Sequence, residues 1–189
     1  LLMIMFTGFL ANALMTPLGV LLPIHMKHIG RGASGYAFFS SLIASGMLFG
    51  NAIITWLGNK FKTIPYIIGS WFCFAAAFAG LGTLNSFYLS LIWAFFLGLS
   101  SAALNTGTTV LLQTIVPAEF RGRVFGTTGT VCVMGMPISL FLLSYVVNKI
   151  TVGEIFISGM FLSVIFAVIW LLFIKNMENL NAYLVNDAE

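Results

Sequence analysis

The sequence predicts an all-α membrane protein with six transmembrane helices, and the spacing of its charged residues is the first observation behind that prediction. The 189 residues include only 8 Lys or Arg and 5 Asp or Glu. Because about 20 apolar residues span the hydrocarbon core of a bilayer, four of the charge-free runs can hold one crossing and the longest can hold two. The runs are 1–26, 32–59, 63–118, 124–148 and 155–174.

Composition is the second observation, because 60% of the residues are hydrophobic and 7% are charged. A chain this short has too little interior to bury so much apolar surface in water. The run 155–174 is also apolar all round, without the amphipathic period of a soluble core helix. The net charge of +3 comes from Lys and Arg at span ends, where they meet lipid headgroups, and no nucleic-acid partner is predicted.

The predicted domain is a six-helix transmembrane unit over 1–174, followed by a polar tail over 175–189. Asn85-Ser86 is the turn signal that divides the longest run. The predicted spans are 1–26, 34–57, 64–84, 87–116, 124–148 and 155–174. The chain begins at Leu1 without an initiator Met, and we therefore expect upstream sequence to be missing.

Orientation follows from the basic residues in the short loops, which favour the cytoplasmic side. The loops after spans two and four and the tail share one side, with Lys60, Lys62, Arg121, Arg123 and Lys175. The opposite side carries Lys27, Arg31 and Lys149. The sequence therefore predicts a cytoplasmic C-terminus.

Polar side chains are concentrated on spans one, two, four and five, which we predict to line a substrate cavity while spans three and six face lipid. Residues three or four positions apart share a helix face, as Asn105 and Thr108 do. The alternative for each residue is a hydrogen bond across a helix interface or back to its own backbone. The cavity candidates are Asn12, Met15, Thr16, Ser41, Ser45, Ser101, Asn105, Thr108, Gln113, Thr127, Thr130 and Met134.

No catalytic site is predicted, since an intramembrane enzyme needs a nucleophile with a base, or a metal cluster. The two histidines, His25 and His28, lie at a loop edge, and every Asp and Glu lies in a loop or the tail. Cys73 and Cys132 each lie alone inside a span and do not suggest a metal pair. The sequence therefore predicts no cofactor and no metal site, and offers no carboxylate for a proton relay.

Two loop motifs resemble those of the major facilitator superfamily. The segment 116–124, Val-Pro-Ala-Glu-Phe-Arg-Gly-Arg-Val, is similar to the branch with macrolide-efflux-type and enterobactin-exporter-type proteins. The segment 57–62, Leu-Gly-Asn-Lys-Phe-Lys, with Gly50 before it, resembles the superfamily's loop after the second span, with Asn59 in place of the acid. The resemblance implies gating roles for Gly50, Gly58, Asn59, Lys60, Glu119, Arg121 and Arg123.

The resemblance also implies a twelve-helix fold of two halves, each built from two inverted three-helix repeats, of which this chain is the C-terminal half. It implies a multi-pass protein of the bacterial cytoplasmic membrane that exports a lipophilic drug or metabolite by alternating access, with multidrug resistance and proton antiport as expected properties. The expected partners are membrane lipids, a small-molecule substrate and an N-terminal six-helix half. Two alternatives remain: a separately encoded half-transporter that acts as a dimer, and an inactive or scaffolding membrane fragment.

Overall fold

The computed structural model describes residues 1–28, 30–57, 63–83 and 86–186, which contain seven α-helices and no β-strand. A short 3-10 turn, Ala118–Phe120, connects α5 to α6. The predicted all-α class is therefore confirmed. The helices are α1 Leu2–Met15, α2 Leu18–His28, α3 Gly32–Leu57, α4 Thr63–Thr83, α5 Phe87–Ile115, α6 Arg121–Val146 and α7 Val152–Asn186.

Six stretches of these helices are long and apolar enough to cross a bilayer, the number that the charge-free runs predict. The first stretch contains both α1 and α2, and each of the others contains one of the remaining helices. The stretches are Leu2–Lys27, Gly32–Trp56, Thr63–Thr83, Phe87–Ile115, Ala118–Val146 and Val152–Lys175.

The first span is interrupted at Thr16 and Pro17, where α1 ends and α2 begins. Pro17 has no backbone N–H and cannot continue the hydrogen-bond ladder of α1. The Thr16 hydroxyl and backbone N–H both donate to the Asn12 carbonyl, at 2.7 and 3.0 Å. Pro137 lies inside α6, which continues through it, so only the first span is divided into two helices.

Several helix ends differ from the limits predicted for the spans, and two of the differences have a clear local cause. α6 begins at Arg121 rather than at 124, because the 3-10 turn ends at Phe120 and the Arg-Gly-Arg segment forms the first helical turn. α7 continues beyond Lys175 to Asn186. The segment 175–186 contains neither Pro nor Gly, so no strong helix breaker stops α7 at the end of its apolar stretch.

α5 is the central helix and packs against α3, α4 and α1. Its contact with α3 is close because glycines face backbone on both sides: Gly98 of α5 meets the Ile43 carbonyl, and Gly50 of α3 meets the Leu99 carbonyl. Gly46 meets the Phe95 carbonyl in the same way. Small residues four apart allow this approach, as the Gly46–Gly50 spacing predicts.

An aromatic core joins α4 to α7, the second large helix contact. Trp71 of α4 packs edge-on against Phe166 of α7, with ring centroids 5.1 Å apart. Phe78 of α4 packs against Phe156 of α7 at 6.2 Å. Trp71, Phe74 and Phe156 are fully buried. α4 and α7 therefore form one side of the bundle, and α1 and α6 pack together on another.

Candidate functional site

Polar side chains from α1, α5 and α6 meet in a cleft of about 170 Å³, which we call the central cleft. Asn12 of α1 faces Asn105 and Thr108 of α5 across it, and Thr128 of α6 forms part of its wall. The complete lining is Ile4, Gly8, Asn12, Asn105, Thr108, Thr109, Leu112, Phe125, Thr128, Gly129 and Cys132. Three distant parts of the sequence thus contribute polar groups to one small space.

Each of the two asparagines that line this space has an amide oxygen left to accept a hydrogen bond. The amide nitrogen of Asn12 donates to the Gly8 carbonyl at 3.0 Å, and that of Asn105 donates to the Ser101 carbonyl at 2.9 Å. Because a carbonyl only accepts, these bonds fix which amide atom is nitrogen. Neither amide oxygen accepts a hydrogen bond from the described residues, so both remain able to accept one from a ligand.

The threonines of the central cleft differ in their hydrogen bonding. Thr108 donates to the Leu104 carbonyl at 2.7 Å, so its hydroxyl oxygen has only acceptor capacity left. Thr128 is 8% exposed, and its hydroxyl has no partner among the described residues. A buried hydroxyl without a partner costs about 1–3 kcal/mol. The Thr128 hydroxyl is therefore the group that gains most from a bound polar ligand or water.

The central cleft can bind a ligand but offers no acid–base chemistry. Its polar groups are neutral amides and hydroxyls, and the rest of its wall is apolar, with Ile4, Leu112 and Phe125. Among the described residues, no three His, Cys, Asp or Glu side chains lie close enough to hold a metal ion. The arrangement suits a ligand with an apolar body and a few hydrogen-bonding groups.

Three of the twelve cavity candidates, Asn12, Asn105 and Thr108, are brought together in the central cleft. Ser101 lies one turn before Asn105, is 3% exposed and contributes its carbonyl to the Asn105 amide. Thr16 is at the α1–α2 break, and Met15 packs against the main apolar core. These three positions do not line the cleft.

The remaining candidates lie elsewhere on α3, α5 and α6. Ser41 and Ser45 of α3 donate to carbonyls of their own helix, at 2.9 and 2.8 Å. Thr127 and Thr130 of α6 also bond back to their own helix and are exposed. Gln113 is exposed, and Met134 is 52% exposed. Their proposed contact with substrate stays a prediction.

Sequence reasoning missed Thr128, whose face of α6 points toward α1. The residues on that face are mostly small, and they recur at helical spacing: Thr128, Cys132, Gly135 and Ser139, all buried or half-buried. Gly135 meets the Phe9 carbonyl of α1, and the Cys132 thiol lies 3.8 Å from the Met5 carbonyl. This stripe of small residues is the sequence signal that could have identified the inward face, and the predicted cavity residues Thr127 and Thr130 lie beside it.

The gating candidates have distinct environments. The Arg121 guanidinium donates to the Gln113 and Val116 carbonyls, at 2.9 and 3.1 Å, and so caps the C-terminal end of α5. Gly50 is buried against α5, whereas Glu119 and Arg123 are exposed. Gly58, Asn59 and Lys60 lie outside the described residues.

The family model of the Major Facilitator Superfamily matches residues 4–184, nearly the whole sequence. The chain belongs to this superfamily. Membership confirms the prediction of a transport protein rather than an enzyme, and the six spans agree with one half of the superfamily's fold. It also confirms the resemblance that the two loop motifs suggested.

Curated relatives with the name macrolide efflux protein A are similar to most of this chain. It is 27% identical over 157 residues to macrolide efflux protein A of Streptococcus pyogenes, covering 82% of this chain and 39% of the relative. It is 28% identical over 140 residues to macrolide efflux protein A of Enterococcus faecalis, covering 72% of this chain and 43% of the relative. The chain thus spans about two fifths of the length of these relatives.

Proposed function

We propose that this chain is the C-terminal half of a secondary active exporter in a bacterial cytoplasmic membrane, which moves a lipophilic compound by alternating access. Superfamily membership and two relatives named macrolide efflux protein A support the transport class and the outward direction. Their greater length supports a second half that this sequence does not contain. The two halves would rock against each other around a shared site.

The observation that carries the proposal is the depth of the central cleft in the bilayer. Asn12, Asn105 and Thr128 each lie within four residues of the middle of their span. At about 1.5 Å per residue, each is within about 6 Å of the bilayer midplane. Substrate sites of such transporters lie at this depth. The amides of Asn12 and Asn105 donate within their own helices and the Thr128 hydroxyl has no partner among the described residues, so these groups do not bond one helix to another.

The lining of the central cleft indicates the substrate class. Because the wall holds no charged side chain, it offers no counter-ion to an anionic substrate. The amide oxygens of Asn12 and Asn105 and the hydroxyl of Thr128 suit a bulky apolar molecule that carries hydroxyl or amino groups. A macrolide-like compound, as named for the relatives, has this character.

Proton antiport and a cytoplasmic C-terminus complete the proposal. The runs 1–26, 32–59, 63–118, 124–148 and 155–174 contain no Asp or Glu, so a proton-carrying carboxylate at the midplane would belong to the N-terminal half. The basic loops with Arg121 and Arg123 would then face the cytoplasm.

Transport by the complete gene product tests the proposal. Expression in an efflux-deficient bacterium is expected to lower the accumulation of a radiolabelled macrolide, and Asn105→Leu is expected to restore it. Thr114→Val serves as the control, since Thr114 lies on the same helix outside the cleft and its hydroxyl donates to the Val110 carbonyl at 2.9 Å. Unchanged accumulation with the wild-type protein, for macrolides and other lipophilic antibiotics alike, would contradict the export function.

A further inference from the structure

A second, larger hollow lies between α6 and α7, away from the central cleft. It has a volume of about 330 Å³, and we call it the lateral groove. α6 packs against α1 and α7 packs against α4, so these two neighbours in sequence stand apart and leave the groove between them. Its lining is Phe9, Leu10, Ala13, Leu14, Pro17, Leu18, Leu21, Phe78, Ile138, Ser139, Leu142, Leu143, Val146, Ile155, Phe156, Ser158, Gly159 and Leu162.

The lateral groove is apolar in effect throughout. Its two hydroxyl groups are already used within their own helices: Ser139 donates to the Met136 carbonyl at 2.9 Å and Ser158 to the Ile155 carbonyl at 2.7 Å. Its rim is formed by Ile138, Leu142 and Leu162, which are 43, 59 and 46% exposed. The groove is therefore continuous with the exposed apolar surface of two membrane-spanning helices, and hydrocarbon is the content that fits it.

The dimensions of the lateral groove match one leaflet of the bilayer. Its lining on α6 runs from Ile138 to Val146, the last residue of that helix, a rise of about 12 Å. One leaflet contributes about 15 Å of hydrocarbon. The groove thus begins at the membrane surface, at the loop 147–151, and reaches toward the midplane as a single acyl chain does.

A polar cavity lies at the loop end of the groove. Its volume is about 780 Å³, and His25, Asn148 and Thr151 contribute polar groups to its wall. His25 also packs edge-on against Phe156 of the groove, with ring centroids 6.1 Å apart, so the two spaces adjoin. Lys149 is exposed in the same loop and supplies a positive charge where a lipid phosphate would lie.

Among the described residues, Glu154 is the acidic side chain beside this loop, and it is already engaged. The carboxylate of Glu154 accepts hydrogen bonds from the backbone N–H and hydroxyl of Thr151, at 2.7 and 2.9 Å, and so caps α7. Lys149 is therefore available to a headgroup, as is Lys27, which is exposed two residues after His25.

We propose that the lateral groove is a binding site for one phospholipid, with an acyl chain between α6 and α7 and the headgroup in the polar cavity beside Lys149. Since lipid hydrocarbon is as apolar as the groove, the chain gains little from leaving the bilayer. Occupancy is therefore decided by the headgroup and by the fit of the chain. This site is distinct from the central cleft and does not depend on the proposed export activity.

Photocrosslinking in a bilayer tests this site. The complete gene product is reconstituted in vesicles of phosphatidylethanolamine and phosphatidylglycerol that contain a phosphatidylglycerol with a photoreactive acyl chain, and labelled residues are mapped by mass spectrometry. Labelling is expected at Leu162, in the groove, in excess of Phe161, which is 58% exposed but outside it. Equal labelling of the two positions would overturn the proposal without any variant being made.

Two matched variants sharpen the test. Ser158→Phe fills the groove and is expected to abolish the excess labelling of Leu162 over Phe161. Ser144→Phe is expected to leave that excess unchanged. Both serines are exposed and bond to the carbonyl three residues earlier, but only Ser158 lines the groove. Lys149→Gln is expected to lower groove labelling about fivefold, the effect of one lysine at an anionic membrane surface. Undiminished excess labelling in Ser158→Phe would show that the groove is not the site.

Discussion

The indole N–H of Trp170 donates to the hydroxyl of Thr7 at 2.9 Å, a contact between residues 163 positions apart in the sequence. Trp170 belongs to α7 and Thr7 to α1, and the two residues are 2% and 1% exposed. The Thr7 hydroxyl donates in turn to the Met3 carbonyl at 2.8 Å. This chain of two bonds joins the first and last spans inside the bilayer region.

Removing the Thr7 hydroxyl is expected to destabilise the protein. Thr7→Val leaves the Trp170 N–H without an acceptor in an apolar interior and is expected to cost about 1–2 kcal/mol. Thr7→Ser keeps the acceptor and serves as the control. Unfolding by sodium dodecyl sulfate, followed by tryptophan fluorescence, measures the difference; equal stability of the valine and serine variants would refute a role for this bond.

The glycine contact between α3 and α5 is expected to be intolerant of a methyl group. Gly98→Ala places its Cβ against the Ile43 carbonyl and is expected to cost about 1–3 kcal/mol through overpacking. A Cβ at Gly69, inside α4, meets nothing within 4 Å, so Gly69→Ala is expected to be neutral or stabilising. Thermal unfolding in detergent compares the two. A Gly98→Ala protein that melts with wild type would show that α3 and α5 can separate freely.

Arg121 and Arg123 are expected to differ in their effect on folding. Arg121→Gln removes two charge-assisted hydrogen bonds to the end of α5 and is expected to lower stability by about 1 kcal/mol. Arg123→Gln removes the same charge from an exposed position and is expected to change stability less. The comparison is made on the denaturant concentration at the unfolding midpoint of each variant. A larger loss of stability in Arg123→Gln than in Arg121→Gln would contradict the capping assignment.

Water is expected to reach Asn105 in at least one transport state. The Asn105→Cys variant, in a background with Cys73→Ser and Cys132→Ala, is expected to react with a membrane-impermeant thiol reagent. Bound substrate is expected to slow that reaction. Cys132 must be replaced because it lines the same cleft. Phe161→Cys serves as the lipid-facing control, because Phe161 is exposed on an apolar helix. No labelling at 105 under any condition would refute a translocation path there.

Topology is measured by fusing a reporter after Glu189. A cytoplasmic signal is expected, because the loops with Lys60, Lys62, Arg121 and Arg123 share that side. The same reporter inserted at Lys149 is expected to read as external. The opposite pair of signals would invert the predicted orientation.

The number of spans was predictable because it depends on one-dimensional properties, the length of apolar runs and the position of charges. The choice among polar residues was not. Asn12, Asn105 and Thr108 were predictable because they lie on polar faces of helices whose other sides are apolar. Thr127 and Thr128 are adjacent on α6, and the packing of Gly135 against Phe9 and of Cys132 against Met5 decides which one faces α1. These contacts join residues far apart in the sequence, and their local sign is only the stripe of small residues that includes Thr128.

The break at Thr16 and Pro17 also determines how motion can enter this bundle. On one side of it α1 is attached to α6 and α5, and on the other side α2 is attached to α3. A rotation of α1 and α6 together, relative to α2 and α3, therefore bends the first span at these two residues. The ladder of backbone hydrogen bonds is already interrupted there, so the span can bend at this point without losing a bond that a continuous helix would have to break.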